Sequence, residues 1–141
     1  VCNEICVGFS PAPDQDRARA LRQFARCVRR QTANRLDCFP PCLPGRGKAI
    51  SSRVEAHVGR MREPVDVVFA DPPREGLSPL VRKALLRMKP RSLFLVSCDP
   101  ATFARDLAGL LPRYRVASVT LLDLFPGTHH VETLAALERR P

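Results

Sequence analysis

The chain has 141 residues, 45% of them apolar and 26% charged, which suits one domain with a buried core and excludes two full ones. The net charge of +9 is uneven: residues 1–62 hold 12 basic and 5 acidic side chains and residues 63–141 hold 11 and 9, so the basic excess lies in the first half. Such an excess points to a polyanion partner or, equally, to a solvated basic face, while apolar runs such as Val65 to Ala70 are far too short to span a bilayer.

Residues 1–62 show no clean alternation of strands and helices. Residues 14–33 read as one basic helix, capped by Asp14 or Asp16, with Leu21, Phe24, Ala25 and Val28 at helical spacing. Cys38-Phe39-Pro40-Pro41-Cys42-Leu43-Pro44-Gly45 is dense in helix and strand breakers and reads as a loop. Regularity begins at Pro64. The β-branched run Val65 to Ala70 predicts a buried strand that stops at Asp71-Pro72-Pro73, where proline cannot continue the ladder. Ser78-Pro79 supplies a cap followed by proline and opens a helix with Leu80, Val81, Ala84, Leu85 and Met88, ending at Lys89-Pro90. Ser92 to Cys98 predicts a second strand. Asp99-Pro100 opens the next helix, with Phe103, Ala104, Leu107, Leu110 and Leu111 inward, and Pro112 closes it. Tyr114 to Leu122 predicts a third strand with Val116, Val119, Leu121 and Leu122 as core candidates. Val131 to Leu137 is the last apolar segment, and the short loop from Asp123 to His130 leaves no room for a crossover helix, so a strand there must return antiparallel.

Strand, helix, strand, helix, strand is the pattern of a parallel sheet wound with helices, in which ligands bind beyond the carboxyl ends of the strands. Asp71, Cys98 and Glu132 all fall on that edge, so an acid, a thiol and a second acid converge by topology. Cys98 also precedes the cap of the helix that starts at Pro100, where the helix dipole favours negative charge; it is a candidate nucleophile, against the alternative of a packed small hydrophobe. His129 and His130 could join Cys98 in a metal site, or join Cys98 and Asp123 in a hydrolase triad. Cys2, Cys6, Cys38 and Cys42 form two C-x3-C pairs, looser than the usual zinc spacing, and read as free thiols.

Three stretches resemble consecutive motifs of the RNA uracil-5-methyltransferases: Asp71-Pro72-Pro73-Arg74-Glu75-Gly76; Val96-Ser97-Cys98-Asp99-Pro100-Ala101-Thr102-Phe103-Ala104-Arg105-Asp106-Leu107; and Leu124-Phe125-Pro126-Gly127-Thr128-His129-His130-Val131-Glu132-Thr133. The resemblance covers residues 64–139. It implies a Rossmann-like class I methyltransferase fold in its C-terminal half, with an antiparallel last strand, and a tRNA or rRNA partner. It further implies that S-adenosylmethionine is the cofactor, with Asp71 and Pro72 in its pocket, Cys98 as the nucleophile on uracil C6, Glu132 as the base for the C5 proton, and no metal. The His129-His130 pair would shape the loop that delivers the glutamate.

The first half departs from that pattern. Gly45-Arg46-Gly47 is the only G-x-G before Pro64 and precedes no clear helix, so residues 1–62 stand as a basic, Pro-, Cys- and Arg-rich segment, irregular or degenerate, in place of the cofactor half, and residues 63–141 as the C-terminal half of the domain. On this reading the first strand is left as an exposed apolar edge, and the chain alone binds S-adenosylmethionine weakly or not at all. The start, Val1-Cys2-Asn3-Glu4, has neither Met nor the layout of a signal peptide, which points to a fragment with a cytoplasmic location. An inactive basic RNA-binding remnant is the alternative.

Overall fold

The computed structural model describes residues 4–8, 52–62, 65–123, 126–128 and 130–141, with backbone alone for 4–8. The elements run β1 (Glu4–Gly8), α1 (Val54–Arg60), β2 (Val67–Asp71), α2 (Pro79–Met88), β3 (Ser92–Ser97), α3 (Pro100–Leu110), β4 (Tyr114–Leu122) and β5 (Glu132–Arg139). The predicted helix over 14–33, the loop over 38–45 and Gly45-Arg46-Gly47 lie outside the described residues.

The five strands form one sheet in the order β1-β2-β3-β5-β4. β2 and β3 are parallel and joined through α2. β5 runs antiparallel to β3 on one side and to β4 on the other, so β4 is parallel to β3 but two places away. The antiparallel return expected of the last segment is therefore inserted between the two strands that α3 connects.

Both expected helix starts are built as the sequence suggests. Ser78 accepts a hydrogen bond from the Val81 N–H and Asp99 accepts one from the Thr102 N–H, each ahead of a proline in the first turn. α2 ends on Lys89, a left-handed residue at φ 50°. The core lies between the helices and one face of the sheet: Val68, Ala70, Leu93, Leu95, Ala135 and Leu137 meet Val81, Ala84, Leu85, Phe103 and Leu110. β3 is buried on both faces, and on the side away from this core Phe94 stacks on Phe69 with ring centroids 4.6 Å apart. Burying side chains of this size is worth about 1.5–3 kcal/mol each, so the centre of the sheet carries much of the stability.

The structure corrects the sequence reading in four places, the first being that Ala104 of α3 and Leu111 at its end, read as inward, are exposed, while Phe103, Leu107 and Leu110 face the core. β1 pairs antiparallel with β2, Glu4 opposite Asp71 and Gly8 opposite Val67, so the outer side of β2 is not a bare edge. A short helix, α1, forms within the stretch read as irregular, and its Val58 is buried in the core. Three of the core candidates on β4 are not in the core: Val116, Val119 and Leu121 are 38%, 53% and 71% exposed. β4 is an edge strand, and their cross-strand partners Leu137, Ala135 and Thr133 place all three on the helix side. A register shift between Val116 and Ser118 keeps Val116 and Val119 on one face. Tyr114 is instead the buried anchor of β4, donating its hydroxyl hydrogen to the Pro90 carbonyl at 3.1 Å. No helix among the described residues is long and apolar enough to cross a membrane.

Candidate active site at the strand ends

Asp71 is the last residue of β2, Cys98 the first after β3, and Glu132 the first of β5. Ser97 pairs with Thr133 on the last rung of the β3–β5 ladder, so Cys98 and Glu132 stand one step beyond it, beside each other. Ala70 pairs with Leu95, which puts Asp71 one step beyond the β2–β3 ladder at the same edge. Side chains alternate along a strand, and Ala70 and Thr133 belong to the helix side. Asp71 and Glu132 accordingly fall on the opposite face, that of the Phe69–Phe94 stack.

Their electrostatics agree with this placement. Partial burial raises the Glu132 carboxyl above its ordinary value, and the negative charge of Asp71 raises it further. The two carboxylates act on each other across β3, although about two strand spacings, roughly 10 Å, separate their backbones.

The turn that carries Cys98 is braced on both sides. Ser97 donates its hydroxyl hydrogen to the Asp99 carbonyl at 3.0 Å, and the Asp99 N–H donates back to the Ser97 hydroxyl at 3.2 Å. Asp99 then caps α3 through the Thr102 N–H at 2.8 Å, and the Thr102 hydroxyl donates to the Asp99 carbonyl at 3.2 Å. The Thr102 N–H bond, with Arg74 adding its positive charge, holds the Asp99 carboxyl below its usual range. Cys98 is a free, half-buried thiol on this fixed turn at the start of a helix.

The loop after β2 is equally constrained. Gly76 donates its N–H to the Pro73 carbonyl at 2.7 Å and takes φ +76°, a backbone that side chains strain against. Leu77 donates its N–H to Asp106 of α3 at 2.6 Å. The sequence reading assigned no role to Asp106, although a signal was present. Phe103, Asp106, Leu107 and Leu110 share one helical stripe, and an acid on an apolar stripe is a buried acid with partners.

Pro72 follows Asp71 and is half-buried. His130 is exposed, with its backbone N–H on the Thr128 hydroxyl at 3.2 Å, whereas His129 lies outside the described residues, as do Cys2, Cys38, Cys42 and the Cys6 side chain. Among the described residues no three His, Cys, Asp or Glu side chains gather as metal ligands would.

A parallel strand pair with its crossover helix, an antiparallel β5 set between β3 and β4, and an acid–thiol–acid edge place the chain among the Rossmann-like α/β methyltransferases. Residues 58–140 match the family model for tRNA (uracil-5-)-methyltransferase, and the chain belongs to that family. It is similar to an uncharacterised RNA methyltransferase of Nitratidesulfovibrio vulgaris, 48% identical over 83 residues that cover 58% of this chain and 18% of that protein. It is also similar to one of Porphyromonas gingivalis, 50% identical over 76 residues, 52% of this chain and 16% of that protein. Among solved structures, the Pyrococcus abyssi tRNA (uracil-54, C5)-methyltransferase in complex with S-adenosyl-L-homocysteine is 49% identical, aligned over 52% of this chain and 18% of that one with a TM-score of 0.48. The chain thus spans less than a fifth of the length of each of these three proteins.

Proposed function

We propose that this chain carries the nucleophile and the base of an RNA uracil-5-methyltransferase, with tRNA or rRNA as the substrate class. The observation that supports it is the convergence of Cys98, Glu132 and Asp71 at one sheet edge, on motifs of a family whose name states that reaction. Uracil C5 is a poor nucleophile. The Cys98 thiolate adds to C6, forming an S–C6 bond and pushing the C5=C6 electron pair toward C5 and the O4 carbonyl, which makes C5 nucleophilic. When bound, S-adenosylmethionine would supply the electrophilic methyl group with which the C5 electron pair forms a C5–CH3 bond, the electrons of the broken S–CH3 bond staying on the cofactor's sulfur. Glu132 then takes the C5 proton, the pair of the C5–H bond restores C5=C6, and the S–C6 bond breaks to return the thiolate.

The residues present suit that cofactor. The negative charge of Asp71 that bears on Glu132 would be relieved by a cationic ligand, and Asp71 with Pro72 would hold the cofactor's positively charged side at the end of β2. Glu132 gains in the same way as a base: a carboxylate whose proton affinity is raised accepts a proton more readily at neutral pH. The target uracil has to leave its RNA stack to reach this edge. The segment over 1–62 is proposed as a diverged cofactor half, which would leave the chain slow in isolation, and a cytoplasmic location goes with an RNA substrate.

RNA containing 5-fluorouridine tests the reading, because fluorine cannot leave C5 as a proton does and the adduct accumulates. With S-adenosylmethionine, wild type should yield a covalent protein–RNA species on a denaturing gel and Cys98→Ala none. An equal yield from Cys98→Ala would overturn the nucleophile. RNA binding by wild type without any adduct would favour an inactive RNA-binding remnant.

A further inference from the structure

Residues 63–141 carry nearly balanced charge, yet the fold sorts that charge to opposite edges of the sheet. Asp71, Glu75, Asp99, Asp123 and Glu132 stand at the edge where β2, β3 and β4 end and β5 begins, or in the turns beyond it. Lys89, Arg91, Arg113, Arg139 and Arg140 stand at the other edge, and all five are exposed. Arg115 is there too, paired with Glu138. The six residues of β3, at about 3.3 Å each, separate the two edges by about 20 Å.

Backbone pairing gathers the five cations into one cluster. The Arg139 N–H donates to the Arg91 carbonyl at 3.0 Å, and the Arg140 N–H to the Arg113 carbonyl at 2.8 Å. Two of the guanidiniums are fixed as well: Arg139 Nη1 donates to the Lys89 carbonyl at 2.8 Å, and Arg140 Nε to the Leu111 and Tyr114 carbonyls at 3.2 and 3.0 Å. A carbonyl orients a guanidinium without neutralising it, and each fork keeps further N–H donors for an anion. Asp66, whose carbonyl accepts the Ser92 N–H, and Glu138 are the acidic side chains that the described residues place at this edge. Among the described residues Lys89, Arg113, Arg139 and Arg140 pair with no carboxylate. Like charges held together in this way repel one another, a cost that an anion seated among them would remove.

We propose that this cluster is a phosphate-binding surface, which grips the RNA backbone at a point about 20 Å from the uridine that Cys98 attacks. The edge that carries the reacting groups is acidic and repels phosphates, so affinity for a polyanion has to come from elsewhere, and the five cations tied together at the opposite edge supply it. Calling the polyanion RNA rests on the functional reading, whereas the surface itself rests on the charges and bonds just given. Phosphates are alike at every nucleotide, so the cluster adds affinity and sets the position of the RNA, and leaves the choice of uridine to the reacting edge.

The experiment compares wild type with Lys89→Gln/Arg113→Gln and with a control of equal charge loss, Arg53→Gln/Lys83→Gln, placed ahead of α1 and in the middle of α2. All four side chains are exposed and have no hydrogen-bond or ionic partner among the described residues, so both double variants keep the bonds of the fold. Binding of a fluorescein-labelled tRNA transcript is followed by anisotropy as the salt concentration is raised. Each cation that meets a phosphate contributes about 0.7–0.9 to the slope of log affinity against log salt, so the slope for Lys89→Gln/Arg113→Gln should be shallower by about 1.4–1.8 and its affinity at about 100 mM salt lower by about tenfold or more, while the control keeps the wild-type slope. Acetylation of wild-type lysines, read by mass spectrometry, needs no variant: the transcript should shield Lys89 several-fold and leave Lys83 as reactive as before. Equal slopes for the two double variants, shielding of Lys83 as strong as that of Lys89, or wild type that does not bind the transcript would each overturn the proposal. Wild type that shows the salt slope and the shielding but never forms the 5-fluorouridine adduct would overturn the functional reading and leave the phosphate surface standing.

Discussion

Tyr114 offers a prediction whose size follows from the structure. It is the only tyrosine in a chain without tryptophan, so its ionisation can be read directly by absorbance near 295 nm. The phenol is buried at the start of β4 and donates to the Pro90 carbonyl; burial pushes its pKa up from 10.0 to about 12, with Arg139 opposing the shift slightly. A group with a raised folded pKa lends stability that is fully present below its unfolded pKa and is lost as the pH rises through the folded value. Two pH units at about 1.4 kcal/mol each amount to about 3 kcal/mol, lost between pH 10 and pH 12. Tyr114→Phe leaves the Pro90 carbonyl without its donor and should cost about 1 kcal/mol at pH 7. At pH 11, one unit above the unfolded tyrosine, wild type has lost about 1.4 kcal/mol of this lead, so the two proteins should unfold at nearly the same urea concentration. A stopped-flow pH jump monitored at 295 nm gives the folded-state value independently. Folded Tyr114 titrating near pH 10, or a constant difference in urea midpoint from pH 7 to 11, would refute the reasoning and with it the anchoring of β4, whose partner β5 begins with Glu132.

Three further outcomes are expected. Gly76→Ala combines a left-handed φ with displacement of charge-assisted bonds to Asp106, and should destabilise by about 2–4 kcal/mol in urea unfolding. Lys89→Gly removes a side chain from a left-handed position at the end of α2, and should stabilise by about 0.5–1 kcal/mol, read as a higher melting temperature. Glu132→Gln should stall elimination and leave methylated RNA attached to Cys98 on a denaturing gel. It should also be more stable than wild type at pH 7, because the raised pKa of Glu132 means stability present below its unfolded pKa and lost as the carboxyl ionises; the gain should fade toward pH 4.

The second half of the fold was legible because its signals are local. Ser78-Pro79 and Asp99-Pro100 mark helix starts through a cap and a missing N–H, and both helices begin there. The antiparallel return of β5 followed from loop length alone. β4 misled for a physical reason: Val116, Val119 and Leu121 look like core residues in sequence, but burial depends on what lies over a strand, and the edge position of β4 is set by β5 inserting beside β3. β1 could not be foreseen as the partner of β2, since more than fifty residues separate two short segments whose pairing is long-range.

The site divides along the same line. That Asp71, Cys98 and Glu132 meet at one sheet edge was legible because each sits at the end of a strand, a position set by local breakers and by topology. The bonds of Asp106 were not, because it meets Leu77 across 29 residues and Arg82 across 24, and nothing within one turn of either residue requires the other. Reacting groups have to stand at chain positions that topology exposes, whereas the groups that hold them still can be recruited from anywhere the fold brings close. A buried charge whose partners lie this far along the chain shows itself only once the fold is known, and among the described residues Asp106 is the one buried carboxylate.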